Sequence, residues 1–407
     1  MMNHTQHPRG VRDRNRALIL RAIHRRPGLS RTDIATKVGL TDAAVSRITR
    51  EMIDARLIRE GGEITAVGRP GRRHVGLEID PGGAVVLAVC LTMFEKSLSV
   101  VNLAGEVMAR RDLSDIVTMP PDAIPDALCD AVLREIPRQP PALGLGVVVA
   151  GALDHALGLT TSGSLPSLIG LSLRPVLERR LAMPVRFENL GNALNVAELA
   201  DVAFGTGRDT VFLVHVALGL GSSLVIDGQP HRHDGDERLI GHVEVPGAAG
   251  QCLCGATGCL NTLVSGLGIL ARIDAATGTA GTMQAATGDT ARHLSEAVDR
   301  ANRGCPASAA IFEDAGRTLG RTLFAVMLAS SPGRIILAGP VPQAASYVRG
   351  VQAGLAGAYS RTGVTPPALS VSRFSYAAAT AAFAHGEFTF NVPIEPRRLA
   401  TIALGAA

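Results

Sequence analysis

The stretch Ser30-Arg-Thr-Asp-Ile-Ala-Thr-Lys-Val-Gly-Leu-Thr-Asp-Ala-Ala-Val-Ser-Arg-Ile-Thr-Arg-Glu-Met52 decides how the first part of this chain folds. Ser30 followed by Asp33 is a capping-box pattern: the hydroxyl accepts from the Asp33 amide while the carboxylate reaches back. Ile34, Ala35 and Val38 give the helix that follows a buried face, and Gly39 supplies the left-handed residue that ends it. Thr41 caps the next helix, with Asp42 at the positive end of its dipole. Val45, Ile48, Met52 and Ile53 fall on one side of that helix, which leaves Ala43, Ser46, Arg47 and Arg50 on the other. A short helix, a Gly-containing turn and a second helix showing small and Arg side chains is the unit that reads a DNA major groove.

Outward from this core, a preceding helix is expected from Asp13 to Arg26, with Leu18 and Ala22, and Ile19 and Ile23, at i, i+4. Pro27-Gly28 stops it. Downstream, Leu57-Ile-Arg-Glu60 and Glu63-Ile-Thr-Ala-Val67 read as two short strands around a Gly61-Gly62 hairpin turn. The basic segment Gly68-Arg-Pro-Gly-Arg-Arg73 then reads as a wing extended enough to enter a minor groove. Arg47 has the reach for guanine O6/N7, Ser46 for a base or phosphate, and Arg50 for a phosphate. The expected DNA-contacting set is Ser30, Thr41, Ala43, Ser46, Arg47, Arg50, Arg69, Arg72 and Arg73. A three-helix module used for dimerisation or protein contacts is the competing reading.

Charge favours the DNA reading. Through His74 there are 16 Arg and Lys against 7 acids, a balance of +9 in a chain whose net charge is +4. A basic head on a mildly acidic body suits phosphate-backbone binding. The 407 residues imply two or three folded units, and 46% hydrophobic content suffices for a sizeable core. That core must be aliphatic, because there is no Trp and only 3% of residues are aromatic. No apolar run of membrane-spanning length occurs, and Met1 to Arg16 is polar and basic, unlike a secretory signal. Cys90, Cys129 and Cys305 stand alone while Cys252, Cys254 and Cys259 cluster, a distribution expected of a reducing cytoplasm with one metal site.

From about Gly76 to His385, apolar strand-like runs alternate with helical stretches, which indicates α/β layers. The strand candidates are Val85–Leu91, Leu143–Val149, Val185–Phe187, Val211–Ala217 and Arg334–Leu337. Five motifs run through this body in order: Gly144-Leu-Gly-Val-Val-Val-Ala-Gly151, Val185-Arg-Phe-Glu-Asn-Leu-Gly-Asn192, Ala217-Leu-Gly-Leu-Gly-Ser222, Ile240-Gly-His-Val-Glu-Val245 and Cys252-Leu-Cys-Gly-Ala-Thr-Gly-Cys259. In these the chain resembles the ROK family of repressors and sugar kinases, specifically its xylose- and N-acetylglucosamine-repressor-like branch. The resemblance implies an N-terminal winged helix-turn-helix followed by a two-lobed actin/hexokinase-like (ribonuclease H-like) α/β body. It further implies a sugar cleft, a structural zinc, and a homodimer or dimer of dimers.

His242 followed by Cys252, Cys254 and Cys259 offers one imidazole and three sulfurs, the donor set of a closed tetrahedral structural zinc site. The catalytic machinery of the resembled kinases is depleted. Their Glu-Asn-Asp-x-Asn segment supplies an aspartate as general base on the sugar hydroxyl. Here it reads Glu188-Asn-Leu-Gly-Asn192, and Leu190 cannot accept a proton. Cys90-Leu-Thr-Met-Phe94 stands where the first phosphate loop would have Asp-x-Gly-x-Thr. Of the sugar-binding positions, Leu239 and Asn261 replace two glutamates and Ser164 replaces an asparagine, while Asn189 and His242 are kept. No catalytic residue is therefore expected, and Ser164, Asn189 and His242 are the candidate effector contacts.

The expected domains are 1–75 for the winged helix-turn-helix, 76–190 and 191–390 for the two lobes, and 391–407 for a C-terminal tail. The leading reading is a cytoplasmic, non-enzymatic repressor of carbohydrate-related genes. It would bind double-stranded operator DNA and answer to a sugar-like or less polar effector, with no membrane partner. An ATP-dependent sugar kinase with a regulatory head and a protein-responsive scaffold stand as alternatives.

Overall fold

The computed structural model describes residues 8–64, 74–163, 165–200, 210–227, 229–231, 239–278, 287–328, 330–360 and 362–391. The head opens with helices α1 (Pro8–Arg25), α2 (Arg31–Val38) and α3 (Asp42–Asp54). Their buried stripes, Ile19, Leu20 and Ile23 on α1, Ile34 on α2, and Val45, Ile48 and Met52 on α3, meet in one aliphatic core. Strands β1 (Ile58–Ile64) and β2 (His74–Ile79) pair antiparallel beside them.

That pairing corrects the expected hairpin. Gly61-Gly62 is not a turn: β1 runs straight through it, and the register slips between Glu60 and Glu63. The two glycines form a bulge, which an unbranched backbone accommodates where one strand carries an extra residue. The connection to β2 is residues 65–73, so the wing arginines Arg69, Arg72 and Arg73 lie outside the described residues. Because β2 continues to Ile79, the head sheet extends past the boundary expected at residue 75.

The body contains one sheet design twice. In the first lobe, β3 (Val85–Leu91), β4 (Lys96–Asn102) and β5 (Val107–Asp112) form a meander. Helix α4 (Ile124–Glu135) leads to β6 (Ala142–Val149), which lies parallel to β3. A small hairpin, β7 (Gly151–Asp154) and β8 (Leu159–Gly163), and helix α5 (Arg174–Leu181) precede β9 (Val185–Asn189), parallel to β6. Helix α6 (Leu190–Ala200) follows without a break.

The second lobe starts with the hairpin β10 (Val211–Val216) and β11 (Leu220–Ile226), extended by the short β12 (Gln229–Pro230). Helices α7 (Asn261–Val264), α8 (Gly266–Ala276), α9 (Gly288–Asn302) and α10 (Pro306–Met327) lead to β13 (Arg334–Ala338), parallel to β10. Helix α11 (Ala345–Tyr359) and β14 (Ala368–Val371) complete the sheet, and α12 (Tyr376–Gly386) runs on into a π-helical turn, Glu387–Asn391. The strand orders β5-β4-β3-β6-β9 and β12-β11-β10-β13-β14 therefore each combine an antiparallel hairpin with parallel strands. All five strand candidates of the sequence fall on observed strands.

β3 is buried along its whole length, as its continuous Val/Leu run requires of a strand covered on both faces. Leu87 and Val89 face Leu128 of α4 in one cluster, while Val86 and Ala88 face Ala381 and Ala384 of α12 in another. Helix α12, which chain position assigns to the second lobe, thus lies on the sheet of the first. Its close approach needs a bare backbone on β6: a Cβ at Gly146 would stand 2.7 Å from the Ala384 Cβ. Among the described residues no helix is long and apolar enough to cross a membrane.

Candidate functional site

Three sites line up along the chain: the exposed face of α3, a His/Cys cluster, and a cleft between the lobes. The caps that orient α2 and α3 form as the sequence implies. The Asp33 amide donates to Ser30 Oγ at 3.2 Å, the Ser30 amide donates to Asp33 Oδ2 at 3.2 Å, and Gly39 takes φ 68°. Ser30 is only 4% exposed and its hydroxyl also donates to Asp33 at 2.7 Å. Ser30 thus serves as the cap of α2, with little of its surface left exposed. Thr41 is exposed and accepts from the Ala44 amide at 3.3 Å.

On α3, Ala43, Arg47 and Arg50 are exposed and Ser46 is half-buried. Arg47 lies 3.9 Å from Glu51, whose carboxylate is committed to Arg12 at 2.6 Å. The hydrogen bond from Arg12 holds the Glu51 carboxyl below its ordinary range. With its side chain 62% exposed, the Arg47 guanidinium still faces solvent. One strap escaped the sequence reading. Arg31 donates from Nε to Thr49 Oγ1 at 3.3 Å and from Nη2 to Glu60 at 2.8 Å, tying α2, α3 and β1 together. Thr49 itself is buried and donates to the Val45 carbonyl, so a polar residue sits on the inner face of α3.

His242, Cys252, Cys254 and Cys259 come together as expected, with all ligand atoms within 4.8 Å of one another. Cys252 Sγ is 3.8 Å from His242 Nδ1, and Cys254 Sγ is 3.7 Å from Cys259 Sγ. A tetrahedron with metal–sulfur bonds of about 2.3 Å has edges of about 3.8 Å. Two donor pairs thus already stand at that spacing, and the set is compact enough for one metal ion. The loop is closed by its own backbone, with the Cys252 amide donating to Ala256 O at 2.8 Å.

The cleft, about 410 Å³, is walled by both lobes, and His242 lines it as well as the metal cluster. From the first lobe come Thr92, Met93 and Phe94 in the turn after β3, and Asn189 and Leu190 at the junction of β9 and α6. Leu190 is 1% exposed and packs with Cys90, Val148 and Ala193. A buried aliphatic side chain thus stands where β9 passes into α6 at the cleft wall. Asn189 is committed to its own loop: Nδ2 donates to the Gly151 carbonyl at 2.6 Å, and Oδ1 accepts from the Gly191 amide at 2.7 Å. Ser164 and the Leu239 side chain lie outside the described residues.

Two cleft features were not identified from the sequence. His215 on β10 bonds the Tyr376 hydroxyl at 2.6 Å, and Phe94 meets the Tyr376 ring edge-on with centroids 6.3 Å apart. These residues come from three distant parts of the chain, and no local motif joins them. Asn261, noted in the sequence only as a lost glutamate, lines the cleft with a buried Oδ1 that has no hydrogen-bond partner.

A winged helix-turn-helix joined to a two-lobed sugar-kinase-like body defines a class in which a DNA-binding head is carried by a ligand-binding scaffold. Comparison with known proteins makes the assignment specific. Residues 12–59 match the winged helix-turn-helix DNA-binding family and residues 93–380 match the ROK family. The chain belongs to the ROK family. It is 26% identical over 278 residues to the xylose repressor of Caldicellulosiruptor bescii, covering 67% of this chain and 68% of that protein. It is 25% identical over 342 residues to the DNA-binding transcriptional dual regulator NagC of Escherichia coli K12, covering 82% of each. In three dimensions it resembles a crystal structure of a ROK family transcriptional regulator, a homologue of the E. coli MLC protein. The TM-score is 0.70 at 22% identity, over 97% of this chain and 99% of the other.

Proposed function

We propose that this chain is a transcription regulator, a repressor of carbohydrate-related genes, whose kinase-like body binds an effector and pairs two copies without phosphorylating sugar. The observation that carries this reading is the buried Leu190 in the cleft of a chain that bears a winged helix-turn-helix. Phosphoryl transfer gains from a base that orients the sugar hydroxyl, and a leucine offers neither a lone pair nor a charge. The cleft keeps a ligand-sized volume, so what remains for it is binding.

On DNA, α3 enters the major groove. Arg47 and Ser46 face base edges, Arg50 a phosphate, Thr41 and Ala43 stand at the entry, and Arg69, Arg72 and Arg73 reach an adjacent groove. A two-fold homodimer places two heads on a palindromic site with half-sites spaced by whole helical turns. Zinc is the ion that a Cys₃His set without an open position selects, and its role is to close the loop from His242 to Cys259. His242 belongs to both that loop and the cleft wall, so the ion also stiffens the effector site.

Helix α12 links ligand to DNA. Tyr376 at its start lines the cleft, and His385 at its end touches α1 of the head. An effector that favours one lobe arrangement shifts α12, and with it the spacing of the heads. A gel-shift titration with DNA upstream of the chain's own gene and of the genes beside it tests the proposal. Sequence-selective, salt-sensitive binding supports it, and its absence on every upstream fragment refutes it.

A further inference from the structure

The composition of the cleft wall narrows the chemistry of its ligand. Among the described residues that line it there is no Lys, Arg, Asp or Glu. A phosphate or carboxylate entering this space would lose its water and meet no Lys or Arg among the described lining residues, a cost that such sites avoid by supplying one. The turn after β3, where nucleotide-binding relatives of this fold need an acid and a glycine, instead carries Met93 and Phe94. Phe94 leans on Tyr376, whose hydroxyl is already taken by His215. That end of the cleft therefore offers aromatic and aliphatic surface and no spare charge.

The polar offering lies elsewhere on the wall. Asn261 is 9% exposed and lines the cleft, and its Oδ1 is buried without a partner, an acceptor that a turn of the side-chain amide toward the cleft would open to a donor. A ligand hydroxyl that donates to it recovers the desolvation cost of that oxygen. One molecule that satisfies both ends is an uncharged sugar bearing an apolar group.

We propose that the cleft takes a neutral glycoside, its sugar hydroxyls on the Asn261 side and an apolar or aromatic aglycone against Met93, Phe94 and Tyr376. This deepens the reading of the cleft as an effector site and rests on it. Enclosing an aryl ring against Phe94 and Tyr376 adds apolar burial that a free sugar cannot supply.

The test is calorimetric titration of the full chain with three matched sets of probes. These are free glucose and N-acetylglucosamine, their 6-phosphates, and both anomers of their 4-nitrophenyl glycosides. At least one nitrophenyl glycoside is expected to bind ten times more tightly than its free sugar, and neither phosphate more tightly than its parent. Phe94→Leu should remove most of that tenfold gain. Saturation-transfer NMR on the unsubstituted protein gives an independent answer, with the aryl protons receiving more saturation than the ring protons. A 6-phosphate that binds best, or nitrophenyl glycosides that bind no better than free sugars, overturns the proposal. Operator binding by the same samples reads the regulator assignment separately, so failure of one is distinguishable from failure of the other.

Discussion

The imidazoles of His24 on α1 and His385 at the end of α12 lie with ring centroids 5.1 Å apart, and Phe390 closes the group at 5.3 Å from each. His385 Nε2 is held to the Leu103 carbonyl at 2.8 Å, and Arg21 bonds the Asn391 side chain. Leu103, Leu143 and Phe390 join the aliphatic core of the head. The DNA-binding module is thus packed onto the same helix whose first residue faces the cleft.

Phe390→Ala should uncouple the two. The ring is partly buried, so the cost should be about 2 kcal/mol, below the 3–5 typical of a fully enclosed phenyl ring. Calorimetric unfolding should change from one transition to two, with the head melting first. A single transition merely shifted downward would show that the head does not depend on this contact.

The same contact carries a pH dependence. Burial pushes the His385 imidazole down to about 4, opposed by its hydrogen bond to the Leu103 carbonyl and aided, by less than that, by the neighbouring His24. His24 is pushed down as well, by burial and then by Arg25. Both rings are neutral in the folded chain, whereas the unfolded chain takes up protons near pH 6.5. Stability is therefore complete above pH 6.5 and falls as the pH drops toward 4. His385 alone accounts for about 2 kcal/mol between pH 7.5 and pH 5. Urea midpoints at those two pH values should show this loss, and His385→Gln should flatten it.

Removing a ligand from the Cys₃His cluster should unfasten its loop and leave the head intact. Cys252→Ser is expected to lose one zinc per chain by elemental analysis and to lower the melting temperature of the body. DNA affinity in the same samples should change little. Protein that purifies without metal at full stability would contradict the assigned role.

The recognition helix makes two distinguishable demands. Arg47→Ala should cost about 1–3 kcal/mol on the best operator and relax selectivity at one base pair. Arg50→Ala should weaken binding to all sequences alike and reduce the salt slope by about one. Ser30→Ala should instead destabilise the head by about 1 kcal/mol with the base preference intact, as befits a cap. Anisotropy titrations on matched and randomised duplexes separate the three.

Much of this was legible in the sequence because it is local. The Ser30–Asp33 box, the Gly39 stop, the Thr41 cap and the apolar stripe of α3 are each set by residues within one or two turns, and each forms. The buried strands β3, β6 and β13 announce themselves as largely apolar runs, and β10 does so but for His215. The metal donors are equally visible, because most of the set is compressed into one short loop. The misread hairpin at Gly61-Gly62 shows the limit: a glycine pair marks a turn or a bulge equally well, and only the partner strand decides. Edge strand β5, whose residues Val107–Asp112 are all exposed, gives no apolar signal. The pairs His215–Tyr376 and His24–His385 are set by the return of α12 to the first lobe, a long-range event that no window of sequence contains.

The central claim is that the chain reads DNA and that its body binds without catalysis. The direct measurement pairs an operator titration of the full chain with an ATP-dependent phosphorylation assay on glucose, xylose and N-acetylglucosamine in the same preparation. The account predicts sequence-selective DNA binding that weakens steeply with salt, and no sugar phosphate above the enzyme-free control. Sugar phosphorylation by a chain that shows no selective DNA binding would contradict it.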